Sequence, residues 1–191
     1  APEKILADLV SDGLINQEQA RLAKQVPLAD DITIEADSGG HPDNQPLISL
    51  LPSIIALRNQ IQNIFEFSQP VRIGAAGGIS TPESALAAYM MGAAYIVTGS
   101  INQACSESGA SDHTRKLLSS VEMADVTMAP SADMFELGAR VQVLKKGSFF
   151  PMRAKKLFDF YHTYDKIEDI PEKTRIELET KIFKRTMDDI W

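Results

Sequence analysis

Gly77-Gly78 and Gly99-Ser100 are the residues whose types and spacing best suit chemistry, and that chemistry is anion binding. Glycine lets a backbone approach a phosphate without a Cβ clash. A helix start directly behind such a loop adds free N–H groups and a partial positive charge. Thr81 as a cap and Pro82 at the first helical position mark such a start behind Gly78. Two such loops on consecutive parallel strands would converge on one phosphate; plain tight turns would explain the same residues. A third loop carries Gly39-Gly40-His41. A histidine there can hydrogen-bond a ligand or move a proton near neutral pH, or it can satisfy loop backbone groups. Both readings stay open on the residues alone.

The other reactive side chains offer less. His113 falls at a helix start and His162 in a lysine-rich helix, so both read as structural or surface residues. Cys105 lacks an activating neighbour and is expected to be a buried structural thiol. A single cysteine excludes an intrachain disulfide and any multi-cysteine metal site. With no HxxxH or CxxC spacing, no metal site is expected. Neither a Gly-x-Ser-x-Gly elbow nor a Walker A sequence occurs.

The elements that must position these loops can be read from periodicity. Residues 1–30 are expected to form a helical hairpin. Ile5, Leu6, Leu9 and Val10 make one apolar face, and Asn16 with Gln19 has capping-box spacing. Leu22 and Ala23 form the apolar side of the second helix. Residues 31–123 should hold three βα units. The alternating, β-branched run Asp31–Glu35, the apolar run Val71–Ala76 and the run Ala93–Val97 are the strands. The helix between the first two is expected from Pro52 to Phe67, and Gly92 ends the next helix. All three strands run into glycine-bearing loops, and parallel α/β sheets bind ligands at the carboxyl ends of their strands. Residues 124–191 read as a mostly helical region. Within it Ala124–Met128 and Arg140–Leu144 are extended, and Ala132–Leu137 is helical. Pro151 opens an amphipathic helix, and Pro171–Lys184 is a charged helix with Ile176, Ile182 and Phe183 inward.

Composition narrows the classes. The chain has 191 residues, 44% hydrophobic and 24% charged, as in an ordinary globular protein. That is short of the roughly 250 residues of a complete (β/α)₈ barrel. The net charge is −7, concentrated in residues 1–50 with nine acidic and three basic side chains, so nucleic acid is not an expected partner. Lys145, Lys146, Arg153, Lys155 and Lys156 have no acidic residue among them. They read as a solvated helix edge or as a docking patch for an acidic partner or a phosphorylated ligand. No apolar run reaches the roughly 18 residues of a membrane helix. There is no signal-peptide pattern, and a cytoplasmic location is expected.

A resemblance adds to this reading. Glu35-Ala-Asp-Ser-Gly-Gly-His41 resembles the Glu-x-x-Ala/Ser-Gly-Gly-His signature of the nitronate monooxygenase and flavin enoyl reductase superfamily. Gly74-Ala-Ala-Gly-Gly-Ile79 and Val97-Thr-Gly-Ser100 resemble its two FMN phosphate loops. The closer similarity is to the PfaD-type enoyl reductases of polyunsaturated fatty acid synthases and trans-acyltransferase polyketide synthases. It is carried by Glu35–Asn44, Gly92–Cys105, Ala129–Glu136, Phe150–Ala154 and the closing Asp188–Trp191.

The resemblance implies an α/β fold, the C-terminal part of an FMN-binding (β/α)₈ TIM barrel with an additional helical substrate-binding region. It implies that Gly77, Gly78, Gly99 and Ser100 hold the FMN phosphate, that Gly39 and Gly40 line the flavin site, and that His41 is the catalytic residue near ring and substrate. Asn102 and Gln103 are further contact candidates. Pro42 stands where relatives are expected to carry a small polar residue. The implied activity is NADPH-driven reduction of an enoyl thioester on an acyl carrier protein. The first five barrel strands are expected to precede Ala1, so the partners are that N-terminal half and the carrier protein, with a homo-oligomer left open. Three other functions are carried beside it: a nitronate-oxidising flavin oxidase, a non-catalytic docking module of a synthase, and a different phosphate-binding barrel enzyme. The Gly-Gly-His loop argues against the last.

Overall fold

The computed structural model describes residues 1–40 and 45–190. Two compact units divide them: residues 1–38 with 45–111, and residues 39–40 with 112–190.

The first unit opens with two short helices. In α1 (Glu3–Ser11) Leu6 is buried, Leu9 and Val10 are half-buried, and Ile5 is exposed. Asn16 caps α2 (Gln17–Ala23): its side chain accepts from the Gln19 N–H at 2.8 Å, and the Gln19 side chain accepts from the Asn16 N–H at 2.8 Å. This is the expected capping box. No residue of α2 is buried, however, and Leu22 lies in solvent instead of forming an apolar contact face.

A three-stranded parallel sheet follows, in the order β1 (Asp31–Glu35), β2 (Arg72–Ala76), β3 (Tyr95–Val97). Its crossovers are α3 (Leu47–Phe65) and α4 (Pro82–Met90). Successive side chains alternate between the two faces. Ile34, Ala75 and Ile96 form one row toward the helices, where Leu51 and Ala88 are fully buried. Small residues at Ala75 and Ala88 let helix and sheet approach closely. The opposite face carries the rows Asp31–Arg72, Thr33–Gly74–Tyr95 and Glu35–Ala76–Val97.

One boundary departs from expectation. Pro52 does not open α3 but lies inside it, six residues in. A proline there removes the N–H that would reach the Ile48 carbonyl. Ile48 is 73% exposed, so water can serve that carbonyl and the helix survives. Leu51, beside the proline, is fully buried and anchors the turn. The helix ends earlier than expected, at Phe65, where Glu66 takes a left-handed conformation and its N–H reaches the Gln62 carbonyl. By contrast α4 starts as expected, with Thr81 and Ser84 capping reciprocally and Pro82 at the first position. The short helix α5 (Ser100–Ala104) closes the unit's regular structure.

In the second unit α6 (Asp112–Leu118) leads to an antiparallel hairpin of β4 (Val126–Pro130) and β5 (Arg140–Leu144). The stretch Ala132–Leu137 was expected to be helical and is not. The Ser131 N–H donates to the Ala139 carbonyl, so the hairpin claims both ends of this loop. Among the described residues it holds two i→i−3 backbone bonds, from Leu137 and Gly138. Phe135 projects from the loop with its ring edge-on to Phe158 and Tyr161 of α7 (Phe150–Thr163).

The last helix is also not the uniform α-helix expected. α8 (Glu172–Glu177) widens into a π-type turn over Leu178–Phe183, ends at left-handed Lys184, and is followed by α9 (Met187–Ile190). A π turn takes more residues per revolution than an α turn and shifts the inward face. Leu178 is therefore buried, whereas Ile176, expected inward, is 51% exposed. Among the described residues no helix is long and apolar enough to cross a membrane.

Candidate functional site

The sheet register sets the site in the first unit. Glu35, Ala76 and Val97 form the last row of the sheet, so all three strands end level. The loops after β2 and β3 therefore leave neighbouring strands side by side, about 5 Å apart in a parallel sheet.

The first loop is shaped by close approach. Gly77 has φ +93°, and a Cβ there would lie 2.9 Å from the backbone C and O of Ala36. Only glycine fits, because the obstacle is main chain. The approach is fixed by the Ala36 N–H, which donates to the Ala76 carbonyl at 2.9 Å. The N–H groups of Gly77, Gly78 and Ile79 meet no acceptor among the described residues. The Ser80 and Thr81 N–H groups, by contrast, donate to the Ser84 hydroxyl. Three unclaimed donors ahead of the α4 N-terminus make a neutral cradle with the polarity an anion needs.

The second loop offers space. Gly99 is exposed, and a Cβ added there meets nothing within 4 Å. Ser100, the first residue of α5, is exposed beside it. Asn102 braces this loop: its amide donates to the Thr98 carbonyl at 2.8 Å, and its side-chain oxygen accepts from the Thr98 hydroxyl at 3.3 Å. The Gln103 carbonyl accepts from the Ser108 hydroxyl at 2.8 Å, and its side chain is exposed. Thr98 belongs to the Val97–Ser100 motif, but its pairing with Asn102 was not read from it; a hydroxyl four residues before an Asn at a strand end was the available signal.

The Gly39-Gly40 loop lies in the second unit. Gly40, with φ +100°, pairs with Gln142 of β5: the Gly40 N–H donates at 3.3 Å and the Gln142 N–H donates back at 2.7 Å. Nothing in the sequence pointed to Gln142. His41, Pro42 and Trp191 lie outside the described residues.

The remaining candidates separate clearly. Cys105 was expected to be buried and is exposed. It sits at the end of α5, where the chain turns extended. The thiol donates weakly to the Ile101 carbonyl at 3.2 Å. His113 is exposed, and the His162 ring packs 4.3 Å from Phe158. Of the basic run, Lys146 donates to Asp125 and to the Ser120 carbonyl, and Lys156 pairs with Glu177 at 3.2 Å. Lys145, Arg153 and Lys155 are exposed. No metal-ligating cluster occurs among the described residues.

No family model matches the chain. Individual relatives do. It is 50% identical over its whole length to a polyunsaturated fatty acid synthase subunit of Thraustochytrium sp., of which it covers 13%. It is 46% identical, again over its whole length, to the polyketide biosynthesis protein PksE of Bacillus subtilis, covering 25%. Among solved structures it is similar to the enoyl reductase domain of MlnA from the macrolactin biosynthesis cluster of Bacillus amyloliquefaciens. That match has a TM-score of 0.92 and 44% identity, over 99% of this chain and 42% of that one. The chain thus spans less than half the length of each of these relatives. The resemblance to the reductases of fatty acid and polyketide synthases is borne out.

Proposed function

We propose that this chain, kin to those synthase reductases, is the phosphate-gripping part of an FMN-dependent enoyl reductase. One observation carries the reading. The two loops that leave adjacent strands side by side lie in a chain that matches an enoyl reductase domain with a TM-score of 0.92. Barrel completion by chain outside residues 1–191 belongs to the same proposal.

Gly77, Gly78, Gly99 and Ser100 hold the FMN phosphate through backbone N–H groups and one hydroxyl. The unclaimed amides after β2 and the open space at Gly99 fit such a group. Asn102 and Thr98 keep the second loop in shape. Gln103, exposed in the next turn, is the outer contact. Gly39 and Gly40 contribute a backbone edge to the flavin, held by Gln142. When bound, FMN supplies hydride chemistry between NADPH and the conjugated double bond of an enoyl thioester. His41 donates the proton to the α-carbon or polarises the thioester carbonyl. The thioester is delivered on an acyl carrier protein, and exposed Lys145, Arg153 and Lys155 suit its acidic surface.

The test uses the intact full-length protein. Oxidised flavin should be visible in its absorption spectrum. Reduced flavin should be reoxidised faster by a crotonyl carrier protein than by oxygen. His41→Ala should lower turnover at least tenfold with the flavin still bound. Faster reoxidation by oxygen would favour an oxidase, and a folded protein without flavin would favour a docking module.

A further inference from the structure

The end of α4 nearest the glycine loop is closed by its own side chains. The Ser84 hydroxyl accepts from the Ser80 N–H at 3.1 Å and from the Thr81 N–H at 3.0 Å. It donates its proton to the Thr81 carbonyl at 2.8 Å. A serine hydroxyl has one proton and two lone pairs, so this one is fully engaged. The Ser84 N–H donates to the Thr81 hydroxyl oxygen at 3.2 Å, and the Ala85 N–H donates to the Thr81 carbonyl at 3.1 Å. Pro82 has no N–H to offer. Among the described residues this leaves one unclaimed donor in the first turn, the N–H of Glu83, and that residue brings a carboxylate to the same place. An open helix N-terminus is a ready seat for an anion. This one is shut, whereas the N–H groups just ahead of it, on Gly77, Gly78 and Ile79, meet no acceptor. The Ser84 oxygen is what separates the two sets of donors.

We propose that Ser84 is a positioning residue for the phosphate: it closes the end of α4 and confines the anion to the amides of Gly77, Gly78 and Ile79. The proposal rests on the FMN reading for the identity of the anion. Ser84 has no hydrogen-bonding capacity left for the phosphate and does not touch it. It ties down the chain between Gly78 and α4, and so fixes the direction of the three open amides. Donors held in place before binding lose little when the ligand arrives.

The experiment titrates FMN and riboflavin into the intact full-length protein, freed of flavin, and follows the quenching of flavin fluorescence. The two ligands differ only in the phosphate, so the ratio of their affinities reads the cradle. The parent should prefer FMN at least tenfold. Ser84→Ala should cut that preference at least fivefold, and Ser84→Thr, which keeps the hydroxyl, should restore it. Ser84→Asp is the decisive variant. Its carboxylate can still accept from Ser80 and Thr81, and an acid in the first turn favours a helix, so the melting temperature should hold or rise. The added negative charge beside the cradle should nevertheless cut the FMN preference at least tenfold and leave riboflavin unchanged. A purely structural cap would move affinity and melting temperature together. Tighter FMN binding in Ser84→Ala overturns the proposal, by giving the phosphate to the amides freed at the helix end. An unchanged preference in Ser84→Ala or Ser84→Asp overturns it too, as does a folded Ser84→Thr that fails to restore it. A parent that binds FMN and riboflavin equally, or neither, sinks the phosphate reading and this inference with it. A parent that prefers FMN by a margin no Ser84 variant alters sinks this inference alone.

Discussion

Tyr95 reaches across Gly74 and hydrogen-bonds Thr33, hydroxyl to hydroxyl, at 2.8 Å. The three residues form one row of the sheet, Thr33 on β1, Gly74 on β2 and Tyr95 on β3. The central strand is bare at this point so that one edge strand can bond the other over it. A Cβ on Gly74 would lie 2.1 Å from the Tyr95 ring.

Gly74→Ala should therefore destabilise the chain by about 1–3 kcal/mol, as an overpacked site that must displace the ring. Tyr95→Phe should cost less, about 0.5–1.5 kcal/mol for one hydrogen bond. In urea unfolding, Tyr95→Ala should absorb most of the Gly74→Ala penalty when the two are combined. Full additivity would show that the ring is not the obstacle.

Gly99→Ala should leave folding intact, because the added methyl meets nothing and φ is −112°. In the intact protein it should nonetheless weaken FMN at least tenfold, read by quenching of flavin fluorescence. Gly77→Ala should lower the melting temperature as well, since its Cβ meets the Ala36 backbone. Unchanged FMN affinity in folded Gly99→Ala would remove this loop from the phosphate site.

Asp125 gives a pH signature. The Glu122 backbone N–H, followed by the Lys146 ammonium, holds its carboxyl below the ordinary value of 3.8. A depressed carboxyl pKa contributes stability above the unfolded value and loses it as pH falls through the folded one. Asp125→Asn should be less stable than the parent at pH 7, and the gap should narrow below about pH 4. Urea midpoints measured at both pH values report it; a constant gap would mean that ionisation plays no part.

Pro52→Ala should stabilise the chain. The substitution restores the N–H that can reach the Ile48 carbonyl, at an exposed position of α3. A gain of about 1 kcal/mol or more is expected, below the full proline penalty because Ile48 is already hydrated. A loss in thermal unfolding would show that Pro52 has a packing role.

What the chain alone revealed was local chemistry. Asn16 with Gln19 and Thr81 with Pro82 mark helix starts through bonds that span only three residues, so their capping could be read directly. β1 and β5 have the bounds that alternation predicts. Where long-range contacts compete, the reading failed. Ala132–Leu137 has helical composition, but the bond between Ser131 and Ala139 ties it into a hairpin loop. Ile176 has the right α-helical spacing to face inward, and a π turn gives that place to Leu178. Cys105 has the type of a buried residue, but its place at the end of a five-residue helix leaves it exposed. In the site, the glycines were legible because few other residues tolerate such turns. Gln142 was not, since only tertiary pairing brings it to Gly40.

The two kinds of sheet also differ in how far the chain must travel to make them. β4 and β5 meet across a loop in which Pro130 faces Arg140, ten residues on. β1 and β2 meet only when residues 41 apart, such as Asp31 and Arg72, come together. The longer closure costs about 1 kcal/mol more entropy before any contact repays it. The hairpin should form early and the parallel sheet late, so the loops proposed to hold the phosphate are among the last parts to become competent. In pulse-labelled hydrogen exchange the backbone of β5 should be protected before that of β2. During synthesis the order of emergence reverses: β1 and β2 leave the ribosome before β4 and β5, and Asp31 of β1 must wait for Arg72, 41 residues on, before the two strands can pair.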